Sequence, residues 1–107
     1  MHFEPARGSE ASTRRPAVIV SNDAANITAQ QLRRGVITVV PITSNTARVY
    51  PFQVLLPAEI TGIERDSKAQ AEQVRSVDIQ RVSVRLGIVP YRQMREIDEA
   101  LRLHLSL

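Results

Sequence analysis

The sequence predicts a mainly β fold with one C-terminal helix, and three stretches carry that prediction. Val36, Ile37, Thr38, Val39 and Val40 form a continuous β-branched run, suited to a strand buried on both faces and too short for a helix. From Val49 to Leu56 the even positions Tyr50, Phe52, Val54 and Leu56 fall on one face at the period of a strand. From Tyr91 to Leu105, Met94, Ile97, Leu101 and His104 or Leu105 recur at helical spacing, with Arg92/Glu96 and Asp98/Arg102 four apart on the polar side. A small antiparallel sheet or barrel covered by this helix is the economical arrangement, because each has one apolar face to bury.

Taken in order, Met1–Thr13 is rich in turn formers, with Pro5 and Gly8 as punctuation, and nothing in it alternates long enough to predict a strand. Thr13-Arg14-Arg15 leads into Pro16–Val20, a short apolar run that reads as a buried strand with proline at its first position. Ser21-Asn22-Asp23 offers N-cap residues for a single helical turn, and Thr28–Arg34 reads as a polar connection. Pro41 is expected to end the central strand, placing Thr43-Ser44-Asn45-Thr46 at the tip of a wide hairpin whose second arm is Val49–Leu56. Pro57–Ser67 is loop chemistry. Lys68–Asp78 is a weakly alternating strand, polar enough to be edge, interface or site, and Val82–Val89 is a last strand with a bend at Gly87.

At 107 residues and 43% hydrophobic, the chain fits one domain, residues 1–107, with a modest core. It has no cysteine and only His2 and His104, so neither a thiolate nor a histidine metal site is expected, and no cofactor. His104 reads as a packing or solvent-edge residue. No apolar run is long enough to span a membrane and the N-terminus does not resemble a secretory signal, so a cytoplasmic location is expected. The scattered glycines make no phosphate loop or dinucleotide fingerprint, and no nucleophile elbow is present. Thirteen of the fourteen basic residues are arginine, whose planar donor fork fits phosphate oxygens bidentately. That bias suits a polyanion partner, and it also suits an arginine-rich proteome.

Arg15, at the mouth of the first apolar strand, and Thr43, just past the central one, can meet at one end of a small barrel. A fixed cation beside a hydroxyl donor suits a pentavalent phosphorane, in which charge builds on the non-bridging oxygens as a ribose 2′-OH attacks. By residue type alone, a surface arginine and a turn-forming threonine explain the pair more simply.

Gly8-Ser9-Glu10, Arg15–Asp23, Val39–Ser44, Tyr50-Pro51-Phe52, Glu64–Ser67 and Glu72–Asp78 follow one another in the order of the MazF (PemK-like) toxins of bacterial toxin-antitoxin systems, which the chain resembles over nearly its whole length. The resemblance implies an SH3-like or CcdB-like barrel, a homodimer, a MazE-like antitoxin partner, and metal-independent, sequence-specific cleavage of single-stranded RNA to 2′,3′-cyclic phosphate and 5′-hydroxyl ends. It implies that Arg15 and Thr43 are catalytic, that Ser9 and Glu10 lie on a substrate-facing loop, and that Asn26, Ser44, Tyr50, Pro51, Ser67, Glu72 and Gln73 line the RNA groove. For Tyr50, packing and base stacking both remain open.

An arginine keeps its proton at working pH, so Arg15 is cast as an electrostatic clamp and Thr43 as a donor to a non-bridging oxygen. Glu10, Glu72 or solvent is left as the base, and no histidine inflection is expected in the pH-rate profile. Two departures from the family pattern stand out. The family's first strand precedes the turn that here reads Phe3–Gly8, and only Met1-His2 stand before it. That strand is therefore expected to be missing, which suggests a start placed downstream of the true one. The segment Lys68-Ala69-Gln70-Ala71 is also more polar than the family tends to be. Two other functions compete. A truncated, inactive toxin would only bind antitoxin, whose acidic tail would lie along Gln70–Asp78 in place of RNA. A CcdB-like gyrase poison would need a C-terminal tryptophan, and this chain has none.

Overall fold

The computed structural model describes residues 2–7 and 14–107, with side chains described from Arg15 onward. Among the described residues, seven strands form one antiparallel system: β1 (His2–Arg7), β2 (Arg14–Ile19), β3 (Val36–Thr43), β4 (Gln53–Leu56), β5 (Ser67–Gln70), β6 (Arg75–Asp78) and β7 (Gly87–Ile88). Their order is β4-β5-β3-β2-β1-β7, with β6 also pairing β3. Three helices complete the fold: α1 (Asp23–Leu32), the short α2 (Ala58–Thr61) and α3 (Tyr91–Leu105).

Residues expected to be a turn form β1, which corrects the prediction of a missing N-terminal strand. Phe3 pairs with Val18 and Arg7 with Arg14, while His2 and Phe3 also pair with β7. Pairing on both sides stabilises a segment whose own pattern, interrupted by Pro5, carries no strand signal.

Pro41 does not end the central strand, which runs on to Thr43. On one side β3 pairs with β2 through Ala17↔Pro41. On the other it pairs with β6 from Val36 to Val39 and with β5 at Ile42 and Thr43. Pro41 therefore sits where β3 changes partner, and its missing N–H interrupts no ladder on that side. The expected hairpin between β3 and residues 49–56 does not form, because β5 lies between β3 and β4. Of the predicted arm only Gln53–Leu56 is strand, and the predicted strand 68–78 is split into β5 and β6 by a 3-10 turn at Ala71–Gln73. The predicted last strand shrinks to Gly87–Ile88, preceded by a 3-10 turn at Ile79–Arg81. Gly87 is required by close packing: a Cβ there would lie 2.3 Å from the carbonyl oxygen of Thr61.

The helix after Asn22 is ten residues, longer than the single turn expected. Asn22 caps it by accepting from the Ala25 N–H at 2.8 Å. Its one buried residue is Ala29, so it offers almost no apolar periodicity to read. α3 matches its prediction in extent, burying Ile97 and Ala100, with Met94 and Leu101 packed beside them. His104 and Leu105, expected at the end of its stripe, are exposed. Arg102 approaches Glu99 at 3.6 Å instead of the predicted partner Asp98.

The core lies on both faces of the central strands. Val18, Val40, Ile42, Val54, Leu56 and Ala69 pack against α3 on one face, while Ala17, Ile19, Ile37, Val39 and Val77 pack with Ala29 of α1 on the other. The alternation within β2 and β3 fixes where their end residues lie. Arg15 continues the Ala17–Ile19 series, and Thr43 continues that of Val39 and Pro41, so both belong to the α1 side of the sheet.

Candidate catalytic end of the sheet

The β2–β3 register runs Ile19↔Val39, Val18↔Val40, Ala17↔Pro41. Extended two residues beyond the paired stretch, this register brings Arg15 to the level of Thr43 on the same face of the sheet. Arg15 is exposed and Thr43 half-buried. The Thr43 Oγ1 accepts the backbone N–H of Asn45 at 3.2 Å, which leaves the hydroxyl proton free to point outward. Beside it opens a cleft of about 670 Å3 lined by Pro16, Thr43, Ser44 and Ser67, with a far wall of Gly62–Arg65 and Leu86. Pro16, Thr43, Ser44 and Ser67 therefore converge at one end of the sheet, and Arg15 precedes Pro16 on β2 without lining the cleft itself. Ser67 is buried and donates to the Arg65 carbonyl at 3.0 Å, so it shapes this wall through its backbone turn.

A second cluster gathers Tyr50, Pro51 and Glu72 around a residue that sequence reasoning passed over, Gln53. This side chain is 8% exposed; its Oε1 accepts the Tyr50 N–H at 3.1 Å and its Nε2 donates to Glu72 Oε2 at 2.8 Å. The other carboxylate oxygen of Glu72 is buried with no partner among the described residues. Tyr50 stacks on Phe52 with ring centroids 5.5 Å apart, and Arg48 donates to its hydroxyl at 3.2 Å. Gln73 is exposed at the end of the adjoining turn. The signal for Gln53 was a lone amide in an otherwise apolar run, which a pattern of hydrophobic alternation ignores.

Asn26 stands apart. Its Nδ2 donates to the Ser21 carbonyl at 2.9 Å and its Oδ1 accepts from the Ser21 hydroxyl, whose oxygen in turn accepts the Thr38 N–H at 3.2 Å. Thr38 is five residues from Thr43 along β3, a separation of about 16 Å. Asn26 thus fastens α1 to the opposite end of the central strand. Ser9 and Glu10 lie outside the described residues.

An antiparallel sheet covered by a carboxy-terminal helix is the architecture to which the comparisons also point. The model of the PemK-like, MazF-like toxins of type II toxin-antitoxin systems matches residues 1–105. The chain is 61% identical over 105 residues to endoribonuclease MazF9 of Mycobacterium tuberculosis, covering 98% of this chain and 89% of that one. It shares the fold of the M. tuberculosis toxin MazF-mt6, with a TM-score of 0.82 at 18% identity over 100% of this chain and 98% of the other. A chain of a MazE–MazF crystal structure from Deinococcus radiodurans superposes with a TM-score of 0.77 at 28% identity, over 99% of this chain and 92% of the other. The chain belongs to the PemK-like, MazF-like toxin family of type II toxin-antitoxin systems.

Among the described residues no helix is long and apolar enough to cross a membrane. The described residues do carry an N-terminal strand, β1, formed from the residues expected to be a turn.

Proposed function

We propose that this chain is the toxin of a toxin-antitoxin pair, a homodimeric endoribonuclease that cleaves single-stranded RNA without a metal ion and acts in the cytoplasm until a MazE-like antitoxin binds it. The observation that carries the reading is the placement of Arg15 and Thr43 on one face at the same end of the β2–β3 pair, where Thr43 and Ser44 also line the cleft. The ribose 2′-oxygen attacks phosphorus, the bond from phosphorus to the 5′-oxygen breaks, and the products are a 2′,3′-cyclic phosphate and a 5′-hydroxyl. Negative charge grows on the non-bridging oxygens in between. Arg15 offers those oxygens a permanently charged fork of donors, and Thr43, its hydroxyl oriented by the Asn45 N–H, offers a further donor. One such donor is worth about 10²–10³ in rate.

Glu72 is engaged by Gln53 and belongs to the second cluster, so it serves the groove and solvent takes the 2′-hydroxyl proton. Tyr50, Pro51, Glu72 and Gln73 line the path of the flanking nucleotides, with Ser44 and Ser67 at the reacting end. In a test, the purified protein is incubated with RNA of mixed sequence in EDTA and the new ends are analysed. Fragments bearing 5′-hydroxyl groups, which a kinase labels without prior phosphatase, are expected. Intact RNA, or fragments with 5′-phosphates, would overturn the reading.

A further inference from the structure

We propose that Lys68, the only lysine of the chain, is a second phosphate-binding cation of this site, placed on the side of Thr43 away from Arg15. The inference rests on the endoribonuclease reading and extends it to a residue that neither the sequence pattern nor the family resemblance assigns. The β3–β5 register pairs Thr43 with Lys68 and Ile42 with Ala69. Ala69 and Ile42 face the α3 core, so Lys68 and Thr43 face the other way, together with Arg15. Thr43 and Lys68 are therefore paired across β3 and β5, and the β2 register, extended two residues, brings Arg15 to the same row on the far side of Thr43. Side chains directly opposite in such a row have Cβ atoms about 5 Å apart. That spacing lets one phosphodiester span all three.

The surroundings of Lys68 fit a cation awaiting an anion. The residue is only 8% exposed. Its ammonium donates to the Arg48 carbonyl and lies 5.9 Å from the centre of the Tyr50 ring. Among the described residues the ion pairs lie on α3, and no carboxylate neutralises Lys68. Taking an ammonium out of water is costly unless charge or hydrogen bonds compensate it. One carbonyl and a ring face compensate in part, and an ammonium has three donors. A phosphate oxygen over Thr43 completes the set. No proton moves in this role, and the charge is required in the ground state and transition state alike.

The test is the salt dependence of binding to single-stranded 2′-fluoro RNA of mixed sequence, which lacks the attacking hydroxyl. Each phosphate contact contributes about 0.7 to the slope of log affinity against log salt on a single strand. Lys68→Met and Lys68→Gln are each expected to lower that slope by about 0.7, uniformly across sequences, and Lys68→Arg is expected to retain it. The glutamine keeps a donor for the Arg48 carbonyl and removes only the charge, so it carries the test if the methionine variant melts early. An unchanged slope in Lys68→Gln would overturn the proposal and leave Lys68 as a tether of the Arg48–Tyr50 segment. Wild-type protein that neither binds nor cleaves RNA would instead overturn the endoribonuclease reading beneath it.

Discussion

The two ends of β3 carry similar residue types and use them differently. At the Thr38 end, every polar atom of the Asn26 amide is turned inward, into a ring of hydrogen bonds through Ser21 that joins α1 to the sheet. At the Thr43 end, the hydroxyl takes one backbone N–H and keeps its own proton to give, at the edge of an open cleft. Asn26 and Thr43 were both expected to face RNA. Whether a polar side chain is available to a substrate depends on what the fold has already asked of it, and residue type does not reveal that.

The largest expected effect breaks the open end. Arg15→Ala is expected to slow RNA cleavage by about 10²–10³-fold, measured under single turnover, with the unfolding midpoint unchanged because the side chain is exposed. Thr43→Val, which keeps the shape and removes the donor, is expected to lose about 10²-fold, with Thr43→Ser recovering most of it. The closed end should answer in stability. Asn26→Ala leaves the Ser21 groups without their partner and is expected to cost about 1–2 kcal/mol in urea unfolding, with kcat/KM changed by less than about threefold. The smallest effect belongs to neither end. Arg92 and Glu96 on α3 approach only to 3.9 Å and are largely exposed, so Arg92→Ala should change stability by less than about 0.5 kcal/mol.

The parts of the fold legible in the sequence are those stabilised by local pattern. The apolar run Pro16–Val20, the β-branched run from Val36 and the helix from Tyr91 each carry their own periodicity, and each appears where expected. The parts that were not legible depend on distant partners. β1 is a strand because β2 and β7 flank it, and β4 finds β5 instead of β3. α1 escapes notice because only Ala29 is buried. The site divides in the same way. Arg15 and Thr43 could be named from residue order and family resemblance, whereas the row that adds Lys68, and the bond from Gln53 to Glu72, exist only once β5 is laid beside β3 and β4. Cross-strand neighbours far apart in the chain leave no trace in a local pattern.

The most direct test of the difference between the two ends is a paired measurement on Arg15→Ala and Asn26→Ala, recording single-turnover cleavage of mixed-sequence RNA in EDTA and the urea midpoint of each. The predicted result is a crossed pattern: cleavage lost and the midpoint retained in Arg15→Ala, cleavage retained and the midpoint lowered in Asn26→Ala. Cleavage that survives in Arg15→Ala, or that disappears in a folded Asn26→Ala, would contradict the assignment of the reacting end.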